Sequence, residues 1–365
     1  GALVLDGGSV FAVTLAAPST TGAVLSNGDV TLDGTLEVTA GAGFTSGTYR
    51  LIDYAGALTD NGLSVTSPAH SLYAVDTSTG GQVNLQVALG QWWNGTNVTG
   101  GSSVAGGTGT WNVAAGTSNW TNEAGSAAEA WGQGGLAVFA GTAGTVTVSG
   151  ATDPSVAGLE FLVDGYRVEG AGASNVIQLV SFGGGVAPAI SVAAESTATL
   201  DLALASTLGL QKTGVGTLVL TQANPSLEGE VTVSEGTLRF QGAASGAGTL
   251  TVKSGAEFIA ASGATGGFVG DLTLESGGAM RMEADGNSHL TFGSLTMQAS
   301  SVLTVGLGAP SATAALTTAA TGGQTGTLTL AGTLNLAPRA GFGSGTYRLF
   351  DYGGTFTDNG IALGP

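Results

Sequence analysis

The chain has 365 residues, with 65 glycines, no cysteine and only 9% charged residues. Eight Lys and Arg stand against 25 Asp and Glu, and the net charge of −17 excludes a nucleic-acid binder that relies on a basic patch. The absence of cysteine excludes a disulfide scaffold, no apolar run reaches the roughly 18 residues of a membrane helix, and 42% hydrophobic residues are too many for a disordered chain.

Residues 1–90 are predicted to form coils of a β-solenoid, and they open a long repeat. Residues 43–62 read GFTSGTYRLIDYAGALTDNG and residues 341–360 read GFGSGTYRLFDYGGTFTDNG, so the offset is 298 residues. The chain therefore holds slightly more than one period of a unit of about 300 residues, with the second copy beginning at about residue 300. We expect the chain to be a fragment of a longer tandem array.

The repeated strand GTYRLIDY indicates a junction between units. With the period-2 alternation of a strand, Tyr49 and Leu51 share an inward face, and Arg50 and Ile52 share the other. Arg50 and Asp53 are three residues apart, so we expect them on opposite faces and not in direct contact. A strand with apolar residues on both faces is expected to be covered on both sides.

Residues 91–143 break the strand rhythm and contain every tryptophan of the chain. Exposed indoles beside Asn, Gly and Thr would suit stacking on sugar rings, and these side chains are the candidate binding residues. The alternative is that they pack as a plug or cap of the solenoid core. The five candidates are Trp92, Trp93, Trp111, Trp120 and Trp131.

Residues 144–365 are predicted to continue the solenoid. Short alternating strands, each followed by a small-residue corner and a second strand, recur in 230–240, 248–258, 271–282 and 294–305. A unit of roughly 20 residues cannot bury its own apolar face and must stack on its neighbours. The predicted fold class is all-β, a right-handed parallel β-helix (β-solenoid); a β-sandwich or barrel is the alternative.

Residues 215–258 resemble the autotransporter-associated β-strand repeat, also called the passenger-associated transport repeat. The preceding tryptophan-rich stretch is also similar to what accompanies these repeats in large bacterial autotransporters. Pro225-Ser226-Leu227 departs from the aromatic turn of the family pattern. The matching residues are Gly214, Gly216, Thr217, Leu218, Leu220, Asn224, Gly229, Val233, Gly236, Thr237 and Leu238.

The resemblance implies a passenger of Gram-negative type V secretion. Such a passenger is exported unfolded across the outer membrane by a C-terminal barrel and then folds outside as a right-handed parallel β-helix. The expected location is therefore extracellular, at the bacterial cell surface, either anchored through a barrel outside these residues or released.

Few residues suggest catalysis. His70 and His289 lack a partner at metal-ligand spacing, so no metal site and no cofactor are expected. Two carboxylate pairs, Glu228 with Glu230 and Glu283 with Asp285, resemble glycosidase pairs but are expected by chance among 25 acids. No catalytic residue is assigned. Thr-x-Thr strands could form an ice-binding ladder, but the irregular coil lengths argue against a regular array.

The predicted function is that of a structural and adhesive passenger region, acting as a surface stalk and in attachment, aggregation or biofilm. The expected partner is a host-cell or matrix receptor, a glycan, or a second copy of the protein, without nucleic acid and without direct membrane insertion. The alternative is a carbohydrate-binding or carbohydrate-cleaving β-helix passenger. An enzyme is not expected, since an enzyme seldom needs tandem copies.

Overall fold

The computed structural model describes residues 1–114, 117–241, 243–246, 248–261, 265–268, 270–283, 289–319 and 325–364. All regular structure in these ranges is β-strand. The chain divides into two compact units. Unit 1 comprises Gly1–Gln91, Gly134–Leu136 and Ser181–Val186, and unit 2 comprises Trp92–Gln133, Ala137–Val180 and Ala187–Pro365.

The first ten strands lie in the N-terminal quarter of the chain. They are β1 (Leu3–Val4), β2 (Val10–Leu15), β3 (Val24–Ser26), β4 (Val30–Leu32), β5 (Thr35–Ala40), β6 (Gly47–Tyr54), β7 (Leu58–Asp60), β8 (Ser64–Val65), β9 (Ser71–Asp76) and β10 (Gln82–Trp93).

The following strands occupy the rest of the described chain. They are β11 (Gly109–Asn112), β12 (Trp120–Thr121), β13 (Ala128–Glu129), β14 (Gly135–Phe139), β15 (Thr145–Ser149), β16 (Ser155–Phe161), β17 (Tyr166–Gly170), β18 (Val176–Leu179), β19 (Ala189–Val192), β20 (Thr197–Asp201), β21 (Ala203–Ala205), β22 (Gly209–Thr213), β23 (Thr217–Leu220), β24 (Glu230–Val233), β25 (Thr237–Phe240), β26 (Ala243–Gly246), β27 (Leu250–Val252), β28 (Glu257–Ala260), β29 (Thr265–Phe268), β30 (Leu272–Leu274), β31 (Ala279–Met282), β32 (His289–Phe292), β33 (Leu295–Met297), β34 (Val302–Leu307), β35 (Leu316–Thr318), β36 (Leu328–Leu330), β37 (Thr333–Pro338), β38 (Phe350–Tyr352), β39 (Phe356–Asp358) and β40 (Ala362–Leu363).

Unit 2 is a parallel β-solenoid whose coils stack through three ladders of nine, eleven and five described strands. The first ladder runs β16–β19–β22–β24–β27–β30–β33–β36–β39. The second is an eleven-stranded sheet from β11 to β40, and the third is β26–β29–β32–β35–β38. This architecture confirms the predicted all-β solenoid and not the sandwich or barrel; the right-handed sense of the coils stays a prediction.

The sequence pattern explains how each coil closes. In Leu272–Leu274 the two leucines are buried and the threonine between them faces outward, because successive side chains of a strand point to opposite faces. Glycines with positive φ form the corners: a Cβ at Gly236 (φ 61°) would lie 2.5 Å from the carbonyl oxygen of Gly216 in the coil below. Neighbouring coils therefore stack closely through both their strands and their corners.

The long repeat is structural as well as sequential. Val30 pairs with Leu58, and the equivalent Leu328 pairs with Phe356. The bridge between Ser19 and Tyr49 recurs between Ser311 and Tyr347. The hydroxyl of Tyr49 donates to the carbonyl oxygen of Thr45 at 2.7 Å, and that of Tyr347 donates to that of Gly343 at 2.8 Å. Equivalent residues thus form the same coil in both copies.

The expectation that Arg50 and Asp53 do not pair is wrong. Arg50 Nη1 donates to Asp53 Oδ1 at 2.9 Å, and Arg348 repeats the contact with Asp351 at 3.2 Å. Opposite the partner strand β10, Leu51 is an extra residue, because Val83 pairs with Ile52 and Asn84 pairs with Arg50. This bulge shifts the alternation by one residue, so Ile52 is buried beside Leu51 and Asp53 moves to the face of Arg50.

Unit 1 departs from parallel pairing at its hairpin. Strand β10 runs antiparallel to both β6 and β9, whereas β3 pairs with β6 in parallel. The strand GTYRLIDY is therefore held between a parallel coil strand and an antiparallel hairpin strand.

Candidate functional site

The five tryptophans predicted as candidate binding residues lie in the hydrophobic interior of unit 2. Trp93, Trp111 and Trp120 are fully buried, and Trp92 and Trp131 are 7% and 6% exposed. Four of them, all except Trp92, belong to one cluster that continues into the solenoid core. The indole rings are thus packed against other side chains in this structure.

Trp120 lies at the centre of this aromatic cluster. Its ring centroid is 5.2 Å from that of Trp93, 4.9 Å from that of Trp111 and 4.7 Å from that of Trp131. The contacts with Trp93 and Trp111 are edge-to-face, an arrangement favoured by the quadrupoles of aromatic rings. The cluster extends through Phe139, which stacks on Phe161 with a centroid separation of 4.7 Å and an angle of 9°.

Short antiparallel strands bring the tryptophans together. Trp93 in β10 pairs with Trp120 in β12, and Trp120 pairs with Glu129 in β13. Trp93 Nε1 donates to the carbonyl oxygen of Gly107 at 2.7 Å, and Trp131 Nε1 donates to Gln133 Oε1 at 3.0 Å. These bonds fix two of the indoles while their ring faces stay inside the core.

Some polar atoms at this end of the core have no hydrogen-bond partner in the described part of the chain. They include Nε1 of Trp111 and of Trp120, Nδ2 of Asn94, Oδ1 of Asn119 and Oγ1 of Thr121. Such atoms cost about 1–3 kcal/mol each when buried, so aromatic packing must stabilise this region. The geometry supports the packing interpretation of the tryptophans, and their ligand role stays a prediction.

Tyr166 joins the same cluster through its hydroxyl. It donates to the carbonyl oxygen of Ala140 at 2.7 Å and accepts from the backbone N–H of Gly107 at 3.3 Å. Burial raises the pKa of Tyr166 to about 12, partly opposed by the Gly107 bond. The phenol is therefore neutral at physiological pH, and its two hydrogen bonds link strand β17 to the backbone at Gly107 and Ala140.

The predicted carboxylate pairs do not form an acid–base site among the described residues. Glu228 and Glu230 are exposed. Glu283 binds Arg239 at 2.6 Å and Arg281 at 3.3 Å, and the Arg239 hydrogen bond lowers the pKa of Glu283. Its predicted partner Asp285 lies outside the described residues. A general acid of glycoside hydrolysis needs a raised pKa, so Glu283 fits an ion pair better.

The two histidines belong to different compact units. His289 lies 2.7 Å through Nδ1 from the carbonyl oxygen of Ala314, and His70 adopts a positive φ of 55° in a turn. Within the described ranges, no group of three or more His, Asp or Glu side chains could hold a metal ion. No described residue lies in a helix long and apolar enough to cross a membrane.

Lys212 is a buried cation that the sequence analysis did not single out. Its Nζ donates to the carbonyl oxygens of Thr213 at 2.8 Å, Gly214 at 2.6 Å and Glu235 at 3.2 Å. Desolvation lowers its pKa to about 8, partly opposed by the nearby Glu235 charge. The ammonium group thus ties the corners of two consecutive coils together.

A polar groove of about 370 Å³ opens beside β20, lined by Asn175, Asp201 and Gln222 among small residues. Asp201 accepts hydrogen bonds from Thr221, from Arg167 and, at 2.7 Å, from Gln222. The Thr221 and Gln222 bonds lower the pKa of Asp201 more than desolvation raises it. The carboxylate is already bonded within the protein, which leaves it little capacity for a ligand.

One outward face of the first ladder carries a continuous line of threonines, here called the threonine rank. The threonines of consecutive strands are paired in register, and in every strand except β39, whose three residues are exposed, the threonine lies between two buried residues. The members are Thr232, Thr251, Thr273, Thr296, Thr329 and Thr357.

The expectation that irregular coil lengths prevent a regular array is wrong for this face. Val231 pairs with Leu250, 19 residues on, whereas Leu295 pairs with Leu328, 33 residues on, yet both strands keep the threonine in register. The additional residues enter the connections between strands. The sequence signal that identifies this face is a recurring triplet in which threonine follows Leu, Val or Phe, most often with a second apolar residue after it.

Comparison with known proteins finds similarity to part of an adhesin. Part of the adhesin BmaC autotransporter of Brucella suis biovar 1 (strain 1330) is 39% identical to this chain over an alignment of 257 residues. The alignment covers 66% of this chain. The chain is a homologue of an autotransporter adhesin. The resemblance stated from the sequence is therefore confirmed.

The homologous region is a small part of a very large protein. The chain spans 7% of the length of the BmaC adhesin. No family model and no solved structure matches the chain. The similarity is thus to part of an autotransporter adhesin, and the fold follows from the chain's own strand pairing.

Proposed function

We propose that this chain is a structural and adhesive passenger region that acts as a surface stalk and in attachment, aggregation or biofilm formation. The observation that carries the proposal is its 39% identity to part of an autotransporter adhesin. The parallel solenoid of unit 2 adds support, because stacked coils present the same outward positions many times along one ladder. Many weak contacts then act together through avidity.

The location that we propose is the bacterial cell surface, with an anchor outside these residues or after release. Its adhesin homologue supports this location. The acidic, cysteine-free composition is compatible with export as an unfolded chain, since no disulfide has to form afterwards.

The partner that we propose is a receptor on host cells or matrix, a glycan, or a second copy of the protein. Because the tryptophans are buried, contact must use outward side chains. The threonine rank favours such contact: its side chains are uncharged in a chain of net charge −17, and they offer hydroxyl and methyl groups in a straight line. We propose that attachment depends on this face.

We propose further that the chain is not an enzyme. Every described carboxyl group with a resolved pKa shift has a lowered pKa, namely Asp53, Asp76, Asp201, Glu283 and Asp358. Hydrogen bonds or arginine partners cause these shifts, which suits charged structural groups. Mass spectrometry of a glycan panel incubated with the protein is expected to show no new reducing or unsaturated ends.

The adhesive proposal is tested with beads that carry purified residues 1–365. Beads are scored for mutual clumping and for attachment to cells, matrix proteins and a glycan array. One variant carries Thr251→Lys, Thr296→Lys and Thr357→Lys, on alternate coils so that the new charges do not lie side by side. The matched control carries Thr147→Lys, Thr199→Lys and Thr304→Lys on the second ladder.

The expected result is attachment or clumping by the parent protein that falls at least tenfold in the threonine-rank variant and little in the control. Circular dichroism establishes that both variants fold. Equal loss in both variants contradicts the role of this face. Absence of any attachment by the parent protein contradicts the adhesive function and leaves only the stalk.

A further inference from the structure

The tryptophan-rich segment contains three asparagines in the pattern Asn-x-Ser/Thr, where x is not proline. This pattern is the acceptor signal for N-linked sugars, which attach to the side-chain amide nitrogen of the asparagine. The pattern is short and also occurs by chance, so accessibility decides which of its asparagines can be modified. The three sites are Asn94-Gly95-Thr96, Asn97-Val98-Thr99 and Asn119-Trp120-Thr121.

Two of the three asparagines are buried. Asn94 is fully enclosed together with its Nδ2 atom, and its Oδ1 accepts a hydrogen bond from the backbone N–H of Ala105 at 2.8 Å. Asn119 is 7% exposed, and its Nδ2 donates to the carbonyl oxygen of Thr110 at 2.6 Å. A sugar on either nitrogen would have to displace closely packed atoms of the core.

Asn97 lies where the loop between β10 and β11 reaches the surface. The chain is buried as far as Gly95, where a Cβ would lie 2.2 Å from the carbonyl oxygen of Gly106, and it becomes exposed at Thr96. Asn97 itself is half-buried, and the next residue, Val98, is 54% exposed. Of the three signals, this one is therefore accessible to a modifying enzyme in the folded protein.

The side chain of Asn97 is held with its amide nitrogen available. The backbone N–H and the hydroxyl of Thr99 both donate to Asn97 Oδ1, each at 3.1 Å. A backbone N–H can only donate, so the atom that faces it is the oxygen and not the nitrogen. Within the described part of the chain Nδ2 has no hydrogen-bond partner, yet it is not among the buried unpartnered atoms, so solvent reaches it. Even a Cβ at Gly101 would stay 3.8 Å away from it.

The two hydrogen bonds at Oδ1 suit a reaction at Nδ2. An amide nitrogen is a weak nucleophile, because its lone pair is delocalised towards the carbonyl oxygen. Donors aimed at Oδ1 stabilise the negative charge that develops on the carboxamide when Nδ2 loses a proton. Thr99, the residue that completes the acceptor signal, supplies both donors.

We propose that Asn97 is the attachment site of an N-linked sugar, transferred from a UDP-hexose by a glycosyltransferase. Nδ2 attacks the anomeric carbon, the bond between that carbon and the diphosphate oxygen breaks, and UDP leaves with the electron pair. The proton of Nδ2 passes to a base of the transferase. The sugar then stands on the β10–β11 loop, while the buried side chains of Asn94 and Asn119 stay unmodified.

The first experiment measures which asparagines the folded chain presents. Purified residues 1–365 are incubated with UDP-glucose and a soluble N-glycosyltransferase that recognises Asn-x-Ser/Thr, and peptide mass spectrometry identifies the modified residues. Synthetic peptides of residues 90–103 and 115–125 are the unfolded substrates.

The expected result is that folding slows modification of Asn94 and Asn119 at least tenfold relative to the peptides and slows that of Asn97 by less than tenfold. Modification of Asn97 in the peptide but not in the folded protein overturns the proposal. Equal rates at Asn97 and Asn119 in the folded protein also overturn it, because accessibility would then not select the site.

Two matched threonine variants test the acceptor signal. Thr99→Ala removes the hydroxyl that completes the signal of Asn97, and Thr96→Ala removes the corresponding hydroxyl for Asn94 only. Both threonines are exposed, so circular dichroism should show that both variants fold. Sugar transfer to Asn97 is expected to fall at least tenfold in Thr99→Ala and to persist in Thr96→Ala. Equal transfer in the two variants contradicts the role of Thr99.

The modification itself is tested on the protein made by its own bacterial host, which rests on the proposed surface location. The adhesin is isolated from the cell surface, and its peptides that contain Asn97 are analysed by mass spectrometry. A hexose-bearing peptide that disappears in Asn97→Gln is expected. A surface protein in which Asn97 is entirely unmodified overturns the proposal. This measurement does not depend on attachment, so failure of the adhesive function would leave its result unchanged.

Discussion

Among single residues, the tryptophans and Lys212 acquire their roles from burial and not from residue type. A tryptophan next to glycine and asparagine in the sequence is compatible with a sugar-binding surface and with a buried core. The decisive fact is that Trp93, Trp111 and Trp120 are fully enclosed. The sequence alone left both interpretations open, because alternation does not tell which face of an irregular segment is covered.

Replacing Trp111 by Ala is expected to destabilise unit 2 by about 3–5 kcal/mol, the usual cost of removing a buried large aromatic side chain. Urea unfolding followed by circular dichroism measures this change. Val215→Ala is the matched control, because Val215 is 63% exposed and should change the free energy of unfolding by less than about 0.5 kcal/mol. A Trp111→Ala protein as stable as the control contradicts the core role.

Lys212 predicts an unusual dependence of stability on pH. Its folded pKa of about 8 lies below the unfolded value of 10.5, so between these values the unfolded chain binds a proton that the folded chain lacks. The free energy of unfolding should therefore rise with pH in this window, by at most about 1.4 kcal/mol per pH unit.

Unfolding is best measured between pH 7.5 and 9.5. Above about pH 10 the raised pKa of Tyr166 acts in the opposite direction, because the folded state keeps a proton that the unfolded state loses. Lys212→Met should remove the rise in the free energy of unfolding between pH 7.5 and 9.5, whatever the stability of the variant at pH 7. If the free energy of unfolding of this variant changes with pH as steeply as that of the parent protein, Lys212 is not the group responsible.

At the scale of elements, the inward and outward positions of the strands were predictable and their pairing direction was not. The strands around 230–258 lie where alternation and turn spacing predict them, as β24, β25, β27 and β28. The hairpin strands β9 and β10, in contrast, pair antiparallel. A period of two residues indicates which face is buried and carries no information about the direction of the neighbouring strand.

The bulge at Leu51 escaped prediction for a related reason. One additional residue opposite β10 reverses the alternation, so Arg50 and Asp53 come to share a face. Nothing in the local sequence marks this position, because Leu51 and Ile52 suit a bulge and a regular buried strand alike. The same ion pair recurs between Arg348 and Asp351, where no pairing with a hairpin strand is described, so the contact belongs to the repeated segment itself.

The alternation itself can be tested within one strand. Leu272→Ala removes a buried side chain from the core and should cost about 2–5 kcal/mol. Thr273→Ala changes the adjacent outward residue of the threonine rank and should cost less than about 1 kcal/mol. Chemical denaturation of both variants compares the two faces directly. Similar losses of stability would contradict the assigned orientation of this strand.

At the scale of the whole molecule, the sequence period and the compact units divide the chain differently. The period relates residues 1–67 to the residues from about 300 onward, whereas the compact units separate at Gln91 and Trp92. The repeat could be found from the sequence, but its physical limits required the pairing of β6 with β10.

The most direct test of the adhesive function is attachment by cells that display the chain. A non-adherent bacterium carries residues 1–365 on a heterologous anchor, and the number displayed per cell is measured through an epitope tag. We predict that such cells clump or attach to host cells and matrix several-fold more than cells with the anchor alone, and that the Thr251, Thr296 and Thr357 lysine variant loses this gain. Equal attachment by cells with and without the chain, at matched display, would contradict the account.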